Sequence, residues 1–129
     1  MHNKKRILIL GGDSFIAKAF VKEYCNIYKF KLISRITTSF KCEKVLDDFF
    51  LIQEAEFSDI DIVINFAAIV HRPKIRSFDV YEKYNFHLTV INGNKAKKAG
   101  VSHFLQMSTI AVYGNQEYIS PNTPEYPDT

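Results

Sequence analysis

The sequence predicts an α/β domain, a doubly wound parallel sheet of about five strands. Three observations carry that prediction. Short apolar runs alternate with helical patterns along the chain. The first run, Ile7-Leu8-Ile9-Leu10, is unbroken, as expected of a strand buried on both faces. It leads straight into Gly11-Gly12-Asp13-Ser14, after which the pattern turns helical. A helix opening on a glycine turn directs free N–H groups and a positive dipole end at that turn, and a pyrophosphate fits there.

Taken in order, the first strand is expected at Arg6–Leu10 and the first helix at Ser14–Tyr28, with Phe15, Ala19, Phe20 and Tyr24 on its connected apolar face. Phe30 to Ser34 reads as a second strand, followed by a threonine-rich loop from Arg35 to Lys41. Val45-Leu46 is a short third strand, and Phe49 to Phe57 a short helical stretch. Asp61 to Phe66 is a fourth strand, and Arg72 to Arg76 a basic loop around Pro73. The longest helix spans Asp79 to Ala99 with Tyr81, Tyr84, Leu88, Ile91 and Ala96 as its stripe. Asp79 and Glu82 form a capping box for it and Gly100 stops it; Gly93 sits inside at some cost. Val101 to Met107 is a fifth strand. The last fifteen residues carry Pro121, Pro124 and Pro127 without periodicity and read as a tail. Right-handed crossovers then put a switch point beside the first strand.

The whole chain bounds the function. Its 129 residues make one domain, and a net charge of +3 is too slight to argue for nucleic acid. The charge is uneven: residues 1–44 hold ten Lys and Arg against three Asp and Glu. A solvated surface is the simpler explanation; the functional one is an attractive field for an anionic cofactor. Cys25 and Cys42 make no disulfide framework, no run reaches transmembrane length, and the short apolar run behind Met1–Arg6 is no signal peptide. A soluble cytoplasmic protein is expected. His2, His87 and His103 lack ligand spacing, so no metal site is expected.

Candidate binding residues cluster at the ends of the predicted strands. Gly11 leads a three-residue series in which Ser14 and Ala17 replace the second and third glycines of the dinucleotide fingerprint. Gly12, Ser14, Phe15 and Ile16 complete the turn and the first helical residues. Ser34-Arg35 closes the second strand, where such folds read the adenosine ribose; Arg35 suits a 2′-phosphate, or is simply an exposed arginine. Asp47 or Asp48 is placed to meet the adenine amino group. Phe66, Ala67 and Ala68 follow the fourth strand and allow close approach of a cofactor, and His71 comes just beyond. Met107 and Ser108 follow the fifth strand. The hydroxyls of Ser108 and Thr109 point into the same crevice, where they can hydrogen-bond a carbonyl or alcohol.

Together these segments resemble the extended short-chain dehydrogenase/reductase family, in particular its NAD-dependent nucleotide-sugar epimerases and dehydratases. Gly11 to Ala17 is similar to the family's Gly-Gly-x-Gly-Phe-Ile-Gly turn, and Asn65-Phe66-Ala67-Ala68 to its His/Asn-x-Ala-Ala/Gly segment. Ser108-Thr109-Ile110-Ala111-Val112-Tyr113-Gly114 is similar to its Ser-Ser/Thr-x-x-Val-Tyr-Gly signature, the most specific match. The resemblance implies a Rossmann-type fold, NAD or NADP as cofactor and a nucleotide sugar as substrate. It implies Thr109 as a catalytic hydroxyl and Asn85 as a helix asparagine supporting the active site. The family also carries Tyr-x-x-x-Lys on the next helix, and no such pair occurs in these 129 residues. Pro127-Asp128-Thr129 resembles the residues just before that tyrosine. The expectation is therefore the amino-terminal part of a larger enzyme, with residues 1–114 a partial cofactor-binding domain truncated after about five strands and 115–129 an irregular tail. The fragment is expected to be inactive alone and to self-associate through an exposed sheet edge. Two alternatives stay open: a reductase of a non-sugar carbonyl, and a non-catalytic dinucleotide-binding or interaction protein.

Overall fold

The structure, a computed structural model, describes residues 3–70, 74 and 77–127. Five parallel strands form one sheet: β1 (Arg6–Leu10), β2 (Lys29–Ser34), β3 (Glu43–Val45), β4 (Ile62–Asn65) and β5 (His103–Gln106). Their order is β3-β2-β1-β4-β5. The chain winds outward from β1 to β3, then crosses back to place β4 on the other side of β1. Neighbouring connections thus diverge at the β1/β4 boundary, the switch point at which such sheets open a crevice. Leu10 stands level with Ile33 of β2 and Asn65 of β4, so three strands end together at its mouth.

β1 is the centre of the core because its side chains are apolar on both faces. Ile7 and Ile9 pack with Leu32, Ile64, Ala17 and Val21 on one side. Leu8 and Leu10 pack with Ile33, Val63, Phe57 and Leu88 on the other. Each of the larger side chains, Ala17 aside, contributes roughly 1.5–3 kcal/mol on burial.

Helix α1 (Phe15–Tyr24) covers the first face. It is shorter than its periodicity suggests because the Tyr24 carbonyl accepts from both Ile27 N and Tyr28 N, closing the chain into a turn. Its buried face also differs from the expected one: Ala17 and Val21 touch the sheet, whereas Phe15 is 85% exposed and Ala19 is exposed. Helix and sheet approach most closely where the side chain is small. Phe20 packs beside Ala17 and Val21 as expected; its ring lies 4.8 Å from that of Tyr24 in a tilted pair and meets Phe30 edge-on at 5.8 Å.

β3 lies two residues earlier than expected, since backbone pairing with Leu32–Ser34 sets its register. The Glu43 carboxylate accepts from Thr37 Oγ1, Thr38 N and Thr38 Oγ1, which fastens the threonine-rich loop. Burial pushes that carboxyl up, but the hydrogen bonds from Thr38 and Thr37 outweigh it and hold it below the ordinary range. The expected helical stretch after β3 is two 3-10 turns, Phe49–Leu51 and Glu54–Phe57.

The second face is covered by the long helix, which is not uniform. α2 (Phe78–Tyr81) passes through a π-helical segment, Glu82–His87, into α3 (Leu88–Lys98). Helix hydrogen bonding begins at Phe78 after Ser77, so the Asp79–Glu82 capping box does not form. Tyr84, Leu88 and Ala96 of the expected stripe pack on the core, and one position differs. Leu88, Asn92 and Ala96 face the core, and Ile91 points outward at 37% exposure. Gly100, at φ +84°, ends the helix as expected. Residues 115–127 form no regular element, and Tyr126 N donates to Val112 O at 2.8 Å. No helix among the described residues is long and apolar enough to cross a membrane. His71 and the basic loop, apart from Lys74, lie outside the described residues, as do His2, Asp128 and Thr129.

Candidate functional site

The candidate site forms where β1, β2 and β4 end, and it begins with the glycine turn. Gly11 N and Gly12 N both donate to Ile33 O, at 2.9 and 3.2 Å, which pins the turn to β2. Gly11 has φ +81°, and a Cβ built on it would lie 2.8 Å from the Ala67 backbone nitrogen. The turn after β1 and the segment after β4 therefore touch backbone to backbone. Only glycine satisfies both the conformation and the contact. At Gly12 a Cβ would lie 2.6 Å from Ser34 Oγ, so this residue is small because β2 lies against it.

Ser14 caps α1: its Oγ accepts from Ala17 N at 3.1 Å. An oxygen that accepts this bond keeps its own hydrogen to donate to a ligand. The first turn of α1 carries no acidic residue, which leaves its dipole end open to an anion.

A cleft of about 480 Å³ opens in front of this turn. Gly11, Ser14, Phe66, Ala67 and Ala68 form one part of its wall, and Arg35, Asp47 and Asp48 another. An adjoining recess of about 310 Å³ shares Ser14, Phe66, Ala67 and Ala68 and adds Phe15, Ile16, Met107 and Ser108. The two hollows share these four residues at the ends of the strands, Ser14 at the helix N-terminus among them. Asp48 also works locally, since its Oδ1 accepts from Phe50 N at 2.9 Å.

Four of the residues singled out in the sequence stand outside both hollows. Gly12 and Ser34 are buried beneath the turn, Ser34 at 0% exposure. Thr109 is exposed and caps the 3-10 turn Ile110–Tyr113, its Oγ1 accepting from Ala111 N at 3.2 Å. Asn85 lies in the π segment. Its Oδ1 accepts from Ile69 N at 2.7 Å and its Nδ2 donates to Ile69 O at 2.9 Å, a two-point clamp on the segment that forms the cleft wall.

Other residues enter the site that were not among the expected binding or catalytic residues. Asp13, Ile69, Val80 and Tyr84 line the cleft. Asn65, at the end of β4, donates from Nδ2 to Gln106 Oε1 at 2.8 Å and to Thr89 Oγ1 at 3.3 Å, while its Oδ1 accepts from Ala67 N at 3.0 Å. This buried side chain joins β4, β5 and α3 and orients the Ala67 backbone against Gly11. Asp13 stood inside the glycine turn, so its position was visible and only its direction was not.

Comparison with known proteins gives the family and the fold's relatives. Residues 7–129 match the NAD dependent epimerase/dehydratase family. The chain belongs to that family. Within it, the chain is 29% identical to dTDP-D-glucose 4,6-dehydratase of Mus musculus, over 95% of this chain and 42% of that protein. Its fold is similar to MoeE5 in complex with UDP-glucose and NAD, at a TM-score of 0.82 and 22% identity, over 95% of this chain and 42% of that one. It is also similar to UDP-N-acetylglucosamine 4-epimerase from Methanobrevibacter ruminantium M1 in complex with UDP-N-acetylmuramic acid. There the TM-score is 0.84 at 17% identity, covering 99% of this chain and 46% of that one. The chain thus spans less than half the length of each of these three proteins.

Proposed function

We propose that this chain is the cofactor-binding part of an NAD(P)-dependent nucleotide-sugar epimerase or dehydratase. One observation carries the reading: a glycine turn in backbone contact with Ala67, 2.8 Å from a Gly11 Cβ, opens onto a cleft at the N-terminus of α1. Backbone N–H groups of the first turn and the Ser14 hydroxyl hold the pyrophosphate. Arg35, Asp47 and Asp48 face the adenosine end, and Met107 and Ser108 face the other. Phe66, Ala67 and Ala68 supply a wall with little side-chain bulk beyond Phe66, so the dinucleotide lies close to the strand ends. When bound, the nicotinamide supplies hydride transfer at a sugar carbon. Thr109 already accepts one bond as a cap and keeps its hydrogen to donate to a substrate oxygen. Asn85 acts through Ile69, holding the cleft wall in place. The two exposed, unpaired cysteines, Cys25 and Cys42, fit a reducing cytoplasm.

Ser14→Asp tests the reading without disturbing the helix, because aspartate caps as well as serine but brings a negative charge to the pyrophosphate position. Calorimetric titration is expected to show NAD affinity falling about tenfold or more, with the melting temperature unchanged. Equal affinity in Ser14→Asp and the parent chain places the dinucleotide elsewhere.

A further inference from the structure

We propose that Asp13, on the glycine turn, reads the adenosine ribose and makes the cleft select NAD over NADP. The inference rests on the dinucleotide reading above and adds the choice between the two cofactors.

In this fold the adenosine ribose is read at the carboxyl end of the second strand, usually by an acidic residue whose oxygens accept from the 2′- and 3′-hydroxyls. β2 offers no such group here. Its last residue, Ser34, is fully buried, and its Oγ, within 2.6 Å of where a Gly12 Cβ would stand, lines no part of the cleft. The next residue, Arg35, has a guanidinium that only donates. The missing acceptor comes from the neighbouring turn. Asp13 Oδ1 accepts from Arg35 N at 3.3 Å, which holds the carboxylate against the end of β2. Its other oxygen, Oδ2, accepts no hydrogen bond among the described residues, and the half-buried side chain lines the cleft.

Charge decides the rest. A ribose diol offers two donors to a carboxylate. A 2′-phosphate offers none and carries a charge of about −1.5 to −2 at neutral pH. Arg35 attracts it, but the described wall sets three carboxylates, Asp13, Asp47 and Asp48, against that single guanidinium. Asp13 is the one fixed at the ribose position. Its free oxygen thus favours a diol and repels a phosphate at the same place.

The test is calorimetric titration of the 129-residue chain and of Asp13→Asn with NAD and NADP. Asparagine keeps Oδ1, so the bond from Arg35 N survives and only the charge and one acceptor are lost. The parent chain is expected to bind NAD at least about tenfold more tightly than NADP, and Asp13→Asn to bring the two within about threefold. Competition by ADP-ribose against its 2′-phosphorylated form gives the same ratio on the unaltered chain and needs no variant. A parent chain that prefers NADP overturns the inference. So does a ratio that Asp13→Asn leaves unchanged, and a loss of NADP binding in Arg35→Ala then assigns the role to Arg35. If neither dinucleotide binds the parent chain, the cleft reading itself fails and the inference falls with it.

Discussion

Single positions in this chain are decided by whether backbone or side chain occupies the space around them. Gly11 and Gly93 show the contrast. Gly11 combines φ +81° with backbone atoms of Ala67 and Phe66 within about 3 Å of any added Cβ, and neither can move without breaking the contact of β1 with β4. Gly11→Ala is therefore expected to destabilise the fold by roughly 2–3 kcal/mol, read as a lower denaturant midpoint. Gly93 lies within α3 with nothing inside 4 Å of an added Cβ. There the same change is expected to stabilise by about 0.5–1 kcal/mol, because alanine loses less backbone freedom on entering a helix. Both glycines look alike in the sequence. Only the one next to the apolar run announced its role, through its place at a strand end.

At the level of elements, strands were more legible than helix faces. β1, β2 and β4 follow from apolar runs that need only be buried on both sides. α1 and the long helix were placed correctly, but their buried faces only in part: Phe20 in α1 and Tyr84, Leu88 and Ala96 in the long helix pack on the core as expected, whereas Phe15, Ala19 and Ile91 do not. Ala17 and Val21 take the fully buried places on α1 and Phe20 packs at their side, because close approach to a sheet favours smaller side chains. After the π segment Glu82–His87, Leu88 and Ala96 keep the core-facing places their spacing gives them, while Asn92 takes the place expected of Ile91. Connections between elements also carry electrostatics. Glu56, in the second 3-10 turn, is only 15% exposed and binds Lys31 of β2 at 2.7 Å and Lys44 of β3. Hydrogen bonds from Lys31 and Lys44 hold its carboxyl below the usual range. A depressed carboxyl stabilises the fold fully above its unfolded value, about 4.3, and the contribution is lost as pH falls through the lower folded value. Glu56→Gln is thus expected to cost about 1 kcal/mol at pH 7, screened because both lysines are more than a third exposed. Denaturation curves from pH 7 downward are expected to show that difference shrinking below pH 4.

Over the whole molecule, the sheet ends openly at β5. Leu105 remains 50% exposed, and Met107 just beyond it is also exposed. An apolar edge with unpaired backbone groups recruits other strands. We propose that the 129-residue chain self-associates through it. Light scattering over a concentration series is expected to show apparent mass rising with concentration, and Leu105→Lys to suppress the rise. A strictly monomeric parent chain at high concentration counts against this.

The amino-acid sequence by itself determined the parallel α/β order, the glycine turn at the head of the cleft and the family to which the chain belongs. All three rest on local chemistry: runs that must be buried, a residue without Cβ, and short segments with fixed neighbours. Tertiary structure alone decided how distant residues meet. It brought Asn65 to Thr89 and Gln106, 24 and 41 residues away. It turned Asn85 onto Ile69, buried Ser34, and set the Asp13 carboxylate at the end of β2. Local sequence limits which residues can lie at a strand end. The direction of each side chain there is set by the neighbouring strands and helices packed against it.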